Sequence, residues 1–90
     1  MNEAGRVRVD VWLWRARFFR TRAAAQAACE TGIVRCHGNR IDKGYALKPG
    51  DVLTFAQGPH LRTVRVRAPG ARRGPPAEAA ALYDDLHPPA

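Results

Sequence analysis

Arg15, Arg17, Arg20 and Arg22 fall within eight residues, with Thr21 between the last two. A guanidinium group is planar and permanently charged, and it grips phosphate oxygens in pairs. A threonine directly ahead of a helix caps it, and the first turn of a helix presents unpaired N–H groups and partial positive charge. Arginines gathered around such a terminus form a seat for a phosphate group. Arg8 stands seven residues before Arg15, two turns away along a helix, and is assigned to the same surface. Arg40 and Lys43 lie beyond a Gly-Asn step and would close its other edge. Arg65 and Arg67 alternate along a later segment, either on that surface or as solvated charge.

These side chains need elements to hold them. Asp10 is a good N-cap for a helix over about residues 11–19, with Trp12 in the core and Trp14 nearer its edge. Thr21 predicts the cap of a second helix over 22–31, stopped by Gly32. Its inward positions, Ala25, Ala28 and Cys29, are small, so the two helices can approach closely. Alternation then replaces helical spacing. Val34 and Cys36 point one way, Arg35 and His37 the other, and His37-Gly38-Asn39-Arg40 predicts a tight hairpin with Gly-Asn at its centre. Residues 41–47 read as irregular, and Lys48-Pro49-Gly50-Asp51 as a type II turn. Strands follow over 52–55 and 61–68, separated by a loop over 57–60, with Val64 and Val66 inward. Residues 69–76 form a Gly/Pro/Arg linker, and 77–86 a short helix docked through Leu82, Tyr83 or Leu86. Residues 1–6 and the last four are expected to be loose.

Composition narrows the partner. Ninety residues make one compact domain with a thin core, and the formal net charge is +7. All fifteen Lys and Arg, thirteen of them Arg, lie in residues 1–73 with only five acids; residues 74–90 carry Glu78, Asp84 and Asp85 alone. The excess therefore belongs to the folded part, and a polyanion is the expected partner. No stretch approaches the roughly 18 apolar residues of a membrane span. MNEAGRVRVD lacks the apolar centre of a signal peptide, and two cysteines make no disulfide framework. A cytoplasmic protein is expected.

Catalysis finds little support. The chain has no serine, its three histidines stand in no triad-like order, and it contains no phosphate-cradling glycine loop of the P-loop kind. Cys29, Cys36, His37 and His60 are metal-ligating types, yet no C-x-x-C pair exists and strand alternation would turn Cys36 and His37 apart. No metal, cofactor or enzymatic activity is expected.

One order of elements is specific as a set. Arg8-Val9-Asp10 precedes the first helix and Thr21-Arg22 the second; an alanine-bearing helix, Gly32-Ile33-Val34, a Gly-Asn turn and Gly50-Asp51-Val52 follow. Over residues 6–56 this resembles the small RNA-binding domain first described in the small-subunit ribosomal protein S-four. DVWLWRARFFRTRAAA and RRGPPAEAAALYDD further resemble segments of the ribosome-associated heat-shock protein fifteen family.

The resemblance implies an α+β fold with an αL motif: two helices packed on a small twisted, mostly antiparallel sheet, plus the short C-terminal helix. It divides the chain into an S-four-type domain over 6–68, a linker over 69–76 and a helix and tail over 77–90. It implies a non-enzymatic protein that binds ribosomal RNA on the large ribosomal subunit. The subunits concerned would be stalled ones that hold a nascent chain on peptidyl-tRNA. The expected RNA contacts are Arg8, Arg15, Arg17, Arg20, Thr21, Arg22, Arg40 and Lys43, on a monomer. Two departures stand out: His37 replaces the family's usual Asn before Gly38, and this sequence closes on an acidic segment where relatives continue into a basic tail. The competing reading is a winged-helix-like DNA regulator. Against it, the second helix offers only Arg22 and Gln26 as base readers.

Overall fold

The computed structural model describes residues 6–86. The order of elements is β1 (Val7–Arg8), α1 (Val9–Arg15), α2 (Arg22–Glu30), β2 (Arg35–Cys36), β3 (Asn39–Arg40), β4 (Ala46–Leu47), β5 (Val52–Gln57), β6 (His60–Val66), α3 (Pro76–Ala80) and β7 (Tyr83–Asp85). Every strand pairing is antiparallel: β1 with β4, and a five-stranded sheet in the order β3-β2-β5-β6-β7. The fold is α+β, as the resemblance implied.

The first helix starts two residues before its expected boundary, at Val9, and Asp10 is not its cap. Val9 N donates to Tyr45 O at 2.8 Å and Asp10 N to Lys43 O at 3.3 Å. Backbone from a distant loop thus satisfies the helix's opening N–H groups, and the Asp10 side chain is released for burial. The helix stops at Arg15 in a Schellman motif: Phe18 N donates to Leu13 O and Arg17 N to Trp14 O, with Arg17 at φ 65°. The second helix ends the same way, with Gly32 at φ 79° and Ile33 N donating to Ala28 O. Its start and stop match the Thr21 and Gly32 signals.

Trp12, Phe18 and Phe55 are buried and form one aromatic cluster with Tyr83, and Val9, Leu13, Ala25, Ala28 and Cys29 pack the helices onto Val34, Leu53, Val64 and Val66. Trp12 Nε1 donates to Ala68 O at 2.9 Å, so its polar edge is also satisfied.

Four further local expectations need correction. Residues 41–47 are not irregular throughout, because Ala46–Leu47 pairs with Val7–Arg8 as β4. The β2–β3 hairpin turns at His37-Gly38, since Cys36 pairs with Asn39. Both turn residues have positive φ, 50° and 81°, as a type I′ turn demands; this centres the turn one residue earlier than Gly-Asn. The β5–β6 loop shrinks to Gly58-Pro59, because the strands pair out to Gln57 and His60. Finally, the helix expected over 77–86 is Pro76–Ala80 only. Tyr83–Asp85 instead adds β7 to the edge of β6, with Asp84 opposite Arg65. Two acids at a helix C-terminus oppose its dipole. On the sheet edge they meet arginines: Arg62 reaches Asp85 at 2.8 Å, and Arg67 lies 3.6 Å from Asp84. Arg62 also rests over the Phe18 ring, 5.3 Å from its centroid. The turn over 48–51 is as expected, with Gly50 at φ 97° and Asp51 N donating to Lys48 O. Among the described residues no helix is long and apolar enough to cross a membrane. The expectations for residues 1–5 and 87–90 lie outside the described residues.

Candidate nucleic-acid interface

The second helix is the spine of this surface. Arg22, Gln26 and Glu30 recur every fourth residue, so they form one stripe along it. Each position on the stripe gathers cationic side chains.

At the first turn, Thr21 Oγ1 accepts a hydrogen bond from Ala24 N at 3.0 Å. Arg20 and Arg22 flank this cap and are exposed, and their side chains hold no hydrogen bond or ion pair among the described residues. Halfway along, Gln26 Nε2 donates to Asp10 Oδ2 at 3.1 Å. The Asp10 carboxylate also receives Arg8 Nε at 3.1 Å, Arg8 Nη2 at 3.0 Å and its neighbour's amide, Val11 N, at 2.8 Å. Arg8 is thereby held in a bidentate grip beside α2 while its side chain stays half exposed. Burial would raise the Asp10 carboxyl's pKa, but the bonds from Arg8, Gln26 and Val11 outweigh it and hold the group below its ordinary 3.8. At the last turn, Arg40 Nη2 donates to Glu30 O at 2.7 Å, and Lys43 Nζ lies 3.3 Å from the Glu30 carboxylate. Arg20, Arg22, Arg8, Lys43 and Arg40 are thus strung along a helix roughly 13 Å long.

Arg8, Arg40 and Lys43 border a groove of about 950 Å³ between the start of α1, the end of α2 and the loop over 39–45. Cys29 and Cys36 lie in its floor. Burial, with the negative charge of Asp10 and Glu30, pushes the Cys29 thiol up to about 11, so it stays protonated at neutral pH.

Arg15 and Arg17, expected in the phosphate seat, are engaged elsewhere. Arg15 Nη1 donates to Gly70 O at 2.8 Å and to Pro69 O at 3.3 Å, and Arg17 Nη1 to Gly74 O at 2.8 Å. Arg73 Nε returns the connection to Trp14 O at 3.1 Å. The Pro/Gly-rich segment after β6 has carbonyls with no strand partner, and these two arginines supply the missing donors. The collar of four is therefore divided: Arg20 and Arg22 face solvent, while Arg15 and Arg17 strap residues 69–74 to the end of α1.

The expectation that Cys36 and His37 point apart also fails. Ligand atoms of Cys36, His37 and Asp51 lie within 4.8 Å of one another. The left-handed backbone at His37 breaks the strand pleat and returns its ring toward Asp51, with Nε2 3.3 Å from Oδ1. The trio has the donor types of a transition-metal site. Asp51, however, is already matched by Lys48, whose Nζ lies 2.9 Å from Oδ1 and whose amide donates to Oδ2 at 3.0 Å. His60 stands apart, at the β5–β6 turn.

Sequence reasoning missed Asp10 as an internal anchor and Glu30 as the mooring of Arg40 and Lys43. The four-residue spacing of Arg22, Gln26 and Glu30 was the available signal.

The S4 domain family model matches residues 7–53, from β1 into β5. A trimeric structure of heat shock protein 15 from Vibrio cholerae matches with a TM-score of 0.87 at 33% identity, over 90% of this chain and 82% of that one. The chain belongs to the heat shock protein 15 family. Its first two helices and the strands around them, residues 7–53, are an S4 domain. Heat shock protein 15 of Escherichia coli (strain K12) is 43% identical over 79 residues, and the homolog from Aeromonas salmonicida 38% identical over 79 residues. Each alignment takes in 88% of this chain, which spans about three-fifths of the length of these curated relatives.

Proposed function

We propose that this heat shock protein 15 family member is a non-enzymatic, cytoplasmic RNA-binding protein that attaches to ribosomal RNA of the large subunit. In this reading it acts on stalled subunits that retain a nascent chain on peptidyl-tRNA, in ribosome rescue or recycling. The supporting observation is the row of cations along α2. Arg20 and Arg22 stand unpaired at the N-terminus, Arg8 is oriented by Asp10 and Gln26 at mid-helix, and Lys43 and Arg40 lie at the C-terminal turn. A backbone of regularly spaced phosphates matches such a row, and Thr21 fixes the helix end that faces it. The residues assigned to the contact are Arg8, Arg20, Thr21, Arg22, Arg40 and Lys43. All lie on one chain, so the monomer is the binding unit in this reading.

The test is sedimentation of the purified protein with separated ribosomal subunits. Co-migration with large subunits, enriched when these carry peptidyl-tRNA, is expected. Protein that stays at the top of the gradient, or travels with small subunits alone, would overturn the assignment.

A further inference from the structure

We infer that the groove beside the last turn of α2 receives one unpaired guanine nucleotide of the bound RNA. The inference rests on the reading of this surface as an RNA interface and goes beyond the phosphate contacts. The groove's volume, about 950 Å³, is ample for one nucleotide.

Its chemistry is mixed in a way that a phosphate track is not. Arg8, Arg40 and Lys43 can hold backbone, but Asp42 borders the same groove. Lys43 is matched with Glu30; Asp42 is exposed and its carboxylate has no partner among the described residues. A free carboxylate repels phosphate, and in an RNA groove it is compensated by base N–H donors. Of the four bases, only guanine presents two adjacent N–H donors, at N1 and N2, to match the two oxygens. In a duplex that edge is already paired, so the base must be unpaired.

The groove also offers a surface on which to stack it. Tyr45 lines the wall at 36% exposure. Aromatic faces of this kind carry unstacked bases. Asn39, also on the wall, adds a side-chain amide for the base's remaining acceptors.

Fluorescence anisotropy with RNA hairpins tests the inference. The hairpins carry a single bulged G, A, C or U, or no bulge, and the protein is the full chain. Binding to the bulged-G hairpin is expected to be about tenfold tighter than to the others, a typical discrimination for one bidentate base contact. Asp42→Asn should bring the ratio of G to the other bulges close to one. Tyr45→Ala should weaken every bulged hairpin relative to the paired one, and Tyr45→Phe should not; circular dichroism checks that each variant is folded. Equal affinity for all five hairpins would overturn the groove assignment while leaving the phosphate row intact. So would Asp42→Asn tightening all five alike, since the carboxylate would then only repel. Failure to bind any hairpin would overturn both the inference and the reading beneath it.

Discussion

Asp10 shows how one residue joins stability to the functional surface. It is fully buried, yet every hydrogen bond it accepts organises α1, α2 or Arg8. Its carboxyl sits below the ordinary 3.8 in the folded protein, so it contributes stability fully above that value. That contribution is lost as pH falls through the folded value. Asp51 behaves alike: burial opposes ionisation, but the bonds from Lys48 and His37 win and lower its pKa. Urea unfolding measured from pH 6 down to pH 2 should therefore show stability falling below about pH 4. Asp10→Asn should cost about 1–3 kcal/mol at pH 6 and flatten part of that fall. A parental curve that is level across the range would contradict the assigned bonding of both carboxylates.

At the scale of elements, the C-terminal segment is part of the fold. Arg15 and Arg17 hold residues 69–74, α3 follows, and β7 completes the sheet with Leu82 buried beneath it. Replacing both arginines with alanine should lower the melting temperature by about 4–8 °C for each kcal/mol lost, without reducing the RNA affinity of the folded variant. A large loss of affinity at unchanged melting temperature would return these two residues to the RNA surface. Elements whose signals are local were legible in the sequence. Thr21 and Gly32 bracket α2, Lys48-Pro49-Gly50-Asp51 forms its turn, and Val64 and Val66 alternate inward with Arg65 and Arg67 outward. What was not legible depends on partners distant in sequence. The start of α1 is set by carbonyls of Lys43 and Tyr45, and β7 exists because β6 presents an open edge about twenty residues earlier. The candidate site divides on the same ground. Arg20, Thr21 and Arg22 could be placed from a local cap, whereas Arg15 and Arg17 were claimed by carbonyls more than fifty residues away.

Over the whole molecule, charge is distributed to suit one face. Each acid of residues 74–86 is matched by an arginine: Glu78 with Arg72, Asp84 with Arg67, and Asp85 with Arg62. The acidic segment thus pairs off Arg62, Arg67 and Arg72, and Arg20 and Arg22 at the start of α2 are left for a polyanion. The most direct test is the salt dependence of binding to structured ribosomal RNA, compared between the parent and Arg20→Ala/Arg22→Ala. The account predicts that the double variant binds more weakly, keeps its melting temperature, and loses about 0.7–0.9 from the log–log salt slope for each of the two contacts removed. Parental affinity with an unchanged slope, or a parent that prefers duplex DNA of equal length, would contradict it.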